Sequence, residues 1–314
     1  MKRLLLLLLI IHGMTACHTG EQKIKVGYIQ ITQDQVLDAA REGLFRALSD
    51  SGFVDGQNIS ILNNNAQGDL SMIHMILQSL ITQNADIIVT NSTPCMVAAA
   101  STVQNTPVVF TVAFSPEQMG MKNPPDNLAG VYDPLHSEEL VELIITCLPG
   151  IDCIGIPFNN AEPNAEYAAK ILGAALQNAG IRVFTASVTS PNDILMAGEF
   201  LAGKKVDALL VAGDNTLYMG LNTLSKVADN HDIPLFVTDP LQVEKGACIG
   251  LGVNYDQWGY LSGLKAVEIL KGRTPDPAIE PIQPIELIVN LKACKSQGIS
   301  IPNSLLERAV RIIQ

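Results

Sequence analysis

The chain has 314 residues, of which 47% are hydrophobic and 16% are charged, and its formal net charge is −11. This acidic balance argues against nucleic-acid binding, because phosphate backbones are held by clusters of Lys and Arg. The high apolar content excludes intrinsic disorder, since disordered chains are rich in charge and poor in apolar residues. A chain of this length predicts two domains or one large one.

The N-terminal segment is typical of a secretory signal peptide. Residues 1–3 are Met-Lys-Arg, and the apolar run at residues 4–11 is too short to span a bilayer. Met14-Thr15-Ala16-Cys17 follows and resembles a bacterial lipobox, in which small residues precede a cysteine that is lipidated and becomes the new N-terminus. An ordinary cleaved signal peptide with an incidental cysteine is the alternative.

We therefore expect residues 1–16 to be a lipoprotein signal peptide, Cys17 to be the lipidation site and residues 17–23 to form a tether. The mature protein would be extracytoplasmic and lipid-anchored to the bacterial membrane, at its periplasmic face or at the cell surface. No later segment approaches the roughly 18 consecutive apolar residues of a membrane span, so the body is expected to be soluble.

Five cysteines follow the lipobox, and their odd number leaves at least one of them unpaired. Cys147 and Cys153 are close in sequence and could form a disulfide in an oxidising compartment. The interpretation that we favour is that all five are small buried apolar residues. There is no CxxC motif and the five His residues lack metal-ligand spacing, so neither a metal nor a cofactor is predicted.

The body of the chain alternates between short apolar strands and amphipathic helices, which predicts parallel sheets covered on both faces. In the first unit, strands are predicted at residues 23–31, 58–63, 86–91, 107–113 and 128–131, and helices at 34–50, 70–83 and 93–103. The second unit repeats this rhythm, with helices predicted at 138–148, 162–179, 192–201 and 216–230, and strands at 153–157, 181–186, 208–212 and 235–238. The remaining segment holds a helix at 255–271, a strand at 285–290 and a last helix at 303–313.

The segment 250–314 is too short to be a domain, so it is expected to complete the sheets of both units. The predicted fold is therefore α/β, with two Rossmann-like lobes built on parallel sheets and hinged around a cleft. The first lobe would comprise residues 24–132 plus about 254–285. The second lobe would comprise residues 133–253 plus about 286–314.

Polar residues follow most of the predicted strands, at the sheet edge where open α/β folds bind ligands. Hydroxyl-capped helix N-termini converging on one cleft would suit a carboxylate. Acidic residues opposite them, such as Glu162, Asp214 or Asp239, could bind an ammonium group. Each cluster taken alone is more often a helix cap, but together they indicate a site for a zwitterion such as an amino acid.

No GxSxG, Walker A, HExxH or GxGxxG motif is present, so no catalytic residue is assigned and the protein is not predicted to be an enzyme. An extracytoplasmic hydrolase remains an alternative, but His74, His136 and His231 form no recognisable arrangement with a nucleophile.

Short motifs follow one another in a specific order from residue 24 to residue 314. They include VGYIQ at 26–30, LDAAREG at 37–43, GFVDGQN at 52–58, NAQGD at 65–69, TP at 93–94, PVVFT at 107–111, GVYD at 130–133, EPN at 162–164, DNT at 214–216 and GISIP at 298–302. In these motifs the chain resembles the ABC-transporter substrate-binding lipoproteins related to the tryptophan/phenylalanine/tyrosine-binding group, which have a type I periplasmic-binding-protein fold. The resemblance implies a non-catalytic binder that closes on a small ligand and delivers it to an ABC permease and its ATPase.

The predicted ligand-binding residues combine this resemblance with the strand-end positions. They are Gln30, Ser92, Thr93, Phe114, Ser115, Asn159, Glu162, Asn164, Asp214, Asn215 and Asp239. Two departures from the family pattern at the cleft edge leave the ligand open: Asp34-Gln35 replaces His-Pro, and Phe114-Ser115-Pro116 replaces Thr-Asp-Pro. Phe114 would suit an aromatic amino acid, or it packs between the lobes. A ligand-sensing module for a membrane signalling partner is an alternative to transport.

Overall fold

The computed structural model describes residues 23–314. The predicted signal peptide and Cys17 lie outside the described residues. Within residues 23–314, no helix is both long enough and apolar enough to cross a membrane.

Strands and helices alternate along the described chain. The first part contains β1 (Ile24–Gln30), α1 (Gln35–Asp50), β2 (Ile59–Asn65), α2 (Leu70–Thr82), β3 (Ile87–Asn91), α3 (Thr93–Thr102), β4 (Val108–Ala113) and β5 (Leu128–Tyr132). The middle part contains α4 (Ser137–Cys147), β6 (Cys153–Asn159), α5 (Pro163–Asn178), β7 (Arg182–Val188), α6 (Ile194–Gly203), β8 (Ala208–Val211), α7 (Asn215–Met219), α8 (Leu221–His231) and β9 (Leu235–Val237). The last part contains β10 (Ile249–Val253), α9 (Tyr255–Leu270), β11 (Ile279–Pro281), β12 (Ile285–Asn290), α10 (Leu291–Ser296), α11 (Asn303–Arg308) and β13 (Arg311–Ile313).

The strands form two sheets, which confirms the predicted α/β class. The first sheet has the order β11-β5-β4-β3-β1-β2, and its paired strands are parallel. The second has the order β13-β12-β10-β9-β8-β6-β7 and is parallel except for the antiparallel pair β10–β12. We call the first sheet with α1–α3 and α9 the first lobe, and the second sheet with α4–α8, α10 and α11 the second lobe.

The chain passes between the sheets three times, after β5, after β10 and after β11. The last segment therefore supplies strands to both sheets. Helix α9 returns to the first lobe and packs against α1. A Cβ atom on Gly259 would lie 1.8 Å from the carbonyl oxygen of Ala40, so the absence of a side chain permits this close approach.

Two predicted helices were wrong, and three elements, β10, β11 and α10, were not predicted. The predicted helix at 303–313 ends at Arg308, and residues 311–313 pair in parallel with β12 as strand β13. The predicted helix at 216–230 is two helices separated at Gly220. Strand β10 was not predicted, because Gly250 and Gly252 interrupt the apolar pattern that is typical of a strand. Glycine is required at residue 252, since a Cβ atom there would lie 1.9 Å from the Thr238 carbonyl oxygen.

All five cysteines of the described chain are unpaired and buried, including Cys147 and Cys153. They behave as small apolar residues of the core, which is the interpretation that the sequence favoured. Residues 23–314 also contain no group of three or more His, Cys, Asp or Glu side chains placed to hold a metal ion.

Candidate functional site

A cavity with a volume of about 40 Å³ lies between the lobes, at the carboxyl ends of the strands of both sheets. Parallel α/β sheets place their binding sites at this edge. Both lobes line the cavity, with Val36, Leu37, Thr93, Val112, Ala113, Phe114, Tyr255 and Trp258 from the first, Asn164, Gly213, Asn215, Tyr218 and Thr238 from the second, and Asp133 from the first connection between them.

The N-terminus of α3 forms one polar end of the cavity. Thr93 lines the cavity, and its hydroxyl accepts a hydrogen bond from the backbone N–H of Phe114 at 3.1 Å. Ser92 precedes it with φ = 128°, a backbone conformation that is rare for serine. The Ser92 hydroxyl is buried and has no hydrogen-bond partner among residues 23–314. The neighbouring Cys95 sulfur is at most a weak acceptor for this hydroxyl and leaves it available to a ligand.

The α3 terminus is suited to an anion. The first N–H groups of a helix have no partner within the helix, and the helix dipole adds partial positive charge there. In α3 the cap residue provides no side-chain hydrogen bond that would satisfy these N–H groups. A bound carboxylate could accept hydrogen bonds from them and from the Ser92 hydroxyl.

Asn164 lies on the opposite wall, in the first turn of α5. Its Nδ2 donates to the carbonyl oxygen of Gly213 and to the carboxylate of Glu162, and these two acceptors fix the orientation of the amide. Its Oδ1 is consequently left as an acceptor, buried and without a partner in the described chain. A ligand N–H group in the cavity would satisfy this oxygen.

Glu162 organises the second wall from behind the cavity. One carboxylate oxygen accepts from the backbone N–H of Thr216 at 3.0 Å and from its hydroxyl at 2.6 Å. The other accepts from the backbone N–H of Asn215 at 3.3 Å and from its side-chain amide. Glu162 thus holds the start of α7 and the side chain of Asn215 in place, while Asn215 itself lines the cavity.

Asp214 and Asn159 complete this network. Asp214 caps α7 by accepting from the N–H of Leu217 at 2.8 Å, and it also accepts from the N–H of Asn159 at 2.6 Å. The Asn159 side chain donates to the Thr216 hydroxyl at 2.9 Å. Burial and the nearby Glu162 carboxylate raise the pKa of Asp214. Its carboxylate oxygens are occupied by backbone donors.

Four of the eleven predicted residues line the cavity, namely Thr93, Phe114, Asn164 and Asn215. The other seven, Gln30, Ser92, Ser115, Asn159, Glu162, Asp214 and Asp239, are buried beside or behind its wall. Gln30 accepts from the Tyr28 hydroxyl at 2.8 Å beneath α1, and Ser115 stabilises a turn with Gln118. Asp239 caps the 3₁₀ segment Pro240–Lys245, and burial, with a contribution from Asp34, raises its pKa to about 8.

The prediction that Glu162, Asp214 or Asp239 would bind an ammonium group has no support in this geometry. Their carboxylates accept hydrogen bonds from protein donors behind the wall, and none of the three lines the cavity. Asp133 is the acidic residue that does line it, although sequence reasoning did not place it in the site. Burial raises the pKa of Asp133, whose carboxylate also accepts from the N–H of Leu135 at 2.8 Å.

Aromatic side chains supply much of the remaining lining, and sequence reasoning missed most of them. Trp258, the only tryptophan of the chain, donates from its indole N–H to the carbonyl oxygen of Val131 at 2.7 Å. Its ring lies 5.5 Å from that of Tyr255, one helical turn earlier in α9. Phe114 crosses to the second lobe, where its ring centroid lies 4.9 Å from that of Tyr167. Phe114 therefore both lines the cavity and packs between the lobes.

The histidines considered for a hydrolase lie elsewhere. His74 contacts Thr102, His136 contacts Glu139 and His231 contacts Glu199. None of the three lines the cavity.

Two α/β lobes joined by three connections, with a partly polar, partly aromatic cavity between them, define a binding protein of the type I periplasmic class. The chain belongs to the family of ABC transporter substrate-binding proteins, whose family model matches residues 25–313. This is a family of substrate-binding proteins rather than of enzymes.

Relatives of known ligand are similar to nearly the whole chain. The tyrosine-binding protein of Clostridioides difficile strain R20291 is 30% identical over 294 residues, which cover 91% of this chain and 85% of that protein. The structure of an ABC domain from Streptococcus pneumoniae in complex with L-Trp is 27% identical, has a TM-score of 0.87, and matches 93% of this chain and 100% of that one.

A third relative shows the effect of the lobe arrangement. It is a ligand-free, open substrate-binding protein from Clostridium difficile, 30% identical, with 92% of this chain and 99% of that one covered. Its TM-score is only 0.68, against 0.87 for the L-Trp complex, although the sequence identities are nearly equal. The described chain as a whole therefore superposes more closely on the ligand-bound relative than on the open one.

Proposed function

We propose that this protein is the lipid-anchored, extracytoplasmic receptor of an ABC importer, and that it binds an aromatic amino acid by closing its lobes. The observation that carries the proposal is the cavity itself. Its polar groups lie at the N-terminus of α3, at Asn164 and at Asp133, whereas rings supply much of the rest of its lining. A zwitterion with an aromatic side chain has the complementary chemistry.

The α-carboxylate of the ligand would bind at the start of α3. This terminus offers the backbone N–H groups of Thr93 and Cys95, which no cap side chain satisfies, and the buried Ser92 hydroxyl. Hydrogen bonds to a charged group are stronger than those between neutral groups, and stronger still away from water.

The α-ammonium group would bind to the second wall and to the connection between the lobes. Asn164 offers its unpaired Oδ1, and Asp133 offers a carboxylate in the same cavity. A cationic ligand group beside Asp133 would offset the cost of keeping this carboxylate charged in a buried position. The ligand would then contact both lobes and stabilise the closed form.

The side chain of the ligand would lie among Phe114, Tyr255 and Trp258. Aromatic pairs contribute about 0.5–1.5 kcal/mol beyond the area that they bury, which favours tyrosine, tryptophan or phenylalanine over aliphatic residues of similar size. The ligands of the two similar proteins, tyrosine and L-Trp, are of this class.

Closure would couple binding to transport. A ligand that contacts both walls binds the closed form more tightly than the open form and shifts the population toward it. The permease would then recognise the closed form and receive the ligand from it.

The ligand class is tested by differential scanning fluorimetry of residues 23–314 against each of the twenty amino acids at millimolar concentration. We expect L-tyrosine, L-tryptophan and L-phenylalanine to raise the melting temperature most, because a ligand that binds only the folded state stabilises it by mass action. The amide of L-tyrosine, which lacks the carboxylate, should give a much smaller shift. If none of the twenty amino acids raised the melting temperature, the proposed ligand class would be refuted.

The anchor is tested separately, with the full-length chain expressed in a bacterium. We expect the protein in the membrane fraction, with an acyl-modified N-terminal cysteine detected by mass spectrometry. The variant C17S should not be modified in this way. Unmodified wild-type protein in the soluble extracytoplasmic fraction would support ordinary signal-peptide cleavage instead.

A further inference from the structure

An ion pair joins the two lobes beside the cavity. Asp34 belongs to the first lobe, where it caps α1 by accepting from the N–H of Val36 at 3.0 Å. Lys245 belongs to the second lobe, at the end of the 3₁₀ segment that follows β9. The Lys245 ammonium lies 2.7 Å from Asp34 Oδ2, and it also donates to the Tyr218 carbonyl oxygen at 2.8 Å.

The pair is shielded from water, mostly on the side of the carboxylate. The Asp34 side chain is 5% exposed and that of Lys245 is 21% exposed. Gln242 closes the arrangement from the second lobe, since its Nε2 donates to Asp34 Oδ1 at 3.3 Å and to Asp239 Oδ2 at 3.2 Å. The other charged group of this 3₁₀ segment, Glu244, is paired with Arg311 at 2.6 Å.

Two further contacts join the lobes next to this ion pair. The Gln35 side chain donates to Glu244 at 2.8 Å, and the Thr32 hydroxyl contacts the Met219 sulfur at 3.1 Å. Residues 32–35 of the first lobe thus face residues 219 and 242–245 of the second. None of these contact residues lines the cavity, so they act on the closing movement rather than on the ligand itself.

We propose that Asp34, Gln242 and Lys245 form a latch that holds the lobes closed and sets how slowly the ligand is released. This inference rests on the proposed function, because lobe closure is what retains the ligand. Asp34 belongs to the first lobe and Gln242 and Lys245 to the second, so separation of the lobes must break the ion pair.

The loss of one partner is expected to act more strongly than the loss of an exposed ion pair. A buried carboxylate without its cation remains desolvated in the closed form but can be hydrated in the open form. Removing Lys245 therefore shifts the equilibrium toward opening. Truncating one member of a buried charge pair chiefly raises the dissociation rate, whereas exposed pairs contribute little.

The experiment measures the rate of L-tyrosine release by stopped-flow fluorescence, with Trp258 in the cavity wall as the reporter. The variants are Asp34→Asn, which keeps the oxygen that caps α1, Lys245→Met, and the two combined. We expect each single variant to release L-tyrosine about 10 to 100 times faster than wild type. The double variant should be no faster than the faster single variant, because both remove the same interaction.

An ion pair within the first lobe serves as the matched control. Arg46 and Asp256 join α1 to α9 at 2.7 Å and are about half exposed. The variants Arg46→Met and Asp256→Asn should leave the release rate within about twofold of wild type, as expected for an exposed pair. Release from both latch variants at the wild-type rate, with L-tyrosine still bound, would overturn the latch and leave the proposed function intact.

A second measurement covers the case in which wild type binds no amino acid and the proposed ligand class fails. The radius of gyration of each ligand-free protein is then compared by small-angle X-ray scattering. A larger radius for Asp34→Asn and Lys245→Met, but not for the control variants, supports the latch without reference to a ligand. Equal radii for all five proteins would overturn it.

Discussion

The two walls of the cavity are built in opposite ways. On the wall of the first lobe, Ser92 has φ = 128° and Val112 has φ = 50°, and the Ser92 hydroxyl has no partner in the described chain. On the wall of the second lobe, the Glu162 carboxylate accepts from Asn215 and Thr216 and keeps their side chains in place. The second wall is therefore organised before a ligand arrives, with the Asn164 Oδ1 left unpaired, whereas the first wall holds a strained backbone at Ser92 and Val112.

The strained backbone of the first wall is held in place by the irregular pairing of β4 with β5. A positive φ is unusual for a β-branched residue such as Val112, and each strained residue costs on the order of 1–3 kcal/mol. Strand β4 shifts register against β5 between Phe110 and Ala113, which places Val112 and the following residues at the cavity. Strained conformations held by the surrounding structure are common where a ligand is bound.

The largest effect is expected from Glu162→Ala, which removes the centre of the second wall. Backbone and side-chain donors of Asn215 and Thr216 would lose their acceptor while buried. We expect a loss of about 3 kcal/mol of folding free energy and roughly 100-fold weaker binding of L-tyrosine. Urea unfolding and calorimetric titration measure the two quantities. Glu166→Ala, an exposed position one helical turn later, should change neither; equal effects at both positions would contradict this role for Glu162.

A smaller and purely functional effect is expected from Ser92→Ala on the first wall. Because the hydroxyl has no partner in the unliganded protein, its removal should leave the melting temperature within about 2 °C of wild type. Affinity for L-tyrosine should nevertheless fall about tenfold, through the loss of one hydrogen bond to a charged group. Ser101→Ala, at the far end of α3, serves as the control. A large loss of stability without a loss of affinity would show that the hydroxyl is structural.

The pH dependence of stability distinguishes the buried carboxyl of Asp239 from exposed ones. Its pKa is raised from 3.8 to about 8, mainly by burial and also by Asp34, with Lys245 acting in the opposite direction. Since the folded protein favours the neutral form, the stabilising contribution is complete below about pH 4 and is lost as the pH rises through about 8. We expect the ligand-free protein to lose about 5 °C in melting temperature between about pH 5 and pH 9.

The variant Asp239→Asn tests this assignment. Asparagine keeps an oxygen that can cap the 3₁₀ segment but does not titrate, so the melting temperature should depend less on pH than in wild type. The exposed Asp126→Asn should follow the wild-type curve. If all three proteins gave the same curve, Asp239 would not be the source of the slope.

The smallest effect is expected from Phe114→Leu, which links the two walls. The ring packs against Tyr167 across the cleft and lines the cavity. Affinity for L-tyrosine should fall about threefold, whereas affinity for L-leucine should change less, because only the aromatic contact is lost. Calorimetric titration with both ligands gives the ratio, and a parallel loss for both would assign Phe114 to lobe packing alone.

The sequence predicted the alternation of strands and helices well because hydrophobic periodicity is a local property. It also placed Thr93, Asn164 and Asn215 at the cavity, since polar residues that begin a helix after a parallel strand lie at one edge of the sheet. The sequence alone could not show that Asp214 and Asp239 lie behind the cavity wall whereas these three residues line it. A polar residue at the start of a helix can either cap the helix or contact a ligand.

The rest of the site depends on contacts between residues far apart in sequence. Tyr255 and Trp258 reach the cavity only because the chain returns to the first lobe after β10, and Asp133 lies where the chain first leaves that lobe. The partnership of Asp34 with Lys245 is likewise invisible in the sequence, since it joins residues of different lobes. Prediction therefore found most of the helices and strands, which depend on local sequence, and missed the contacts that form where the lobes meet.

The three passages between the lobes also constrain how the molecule folds and opens. They run side by side, since the N–H of Ile282 donates to the Tyr132 carbonyl oxygen and Asn254 donates to Glu286. A truncation after β10 would remove the edge strand β11 from the first sheet and strands β12 and β13 from the second, so the two lobes have to be completed together, as one cooperative unit. With three neighbouring connections as the pivot, the lobes can rotate relative to each other but remain joined at this one side.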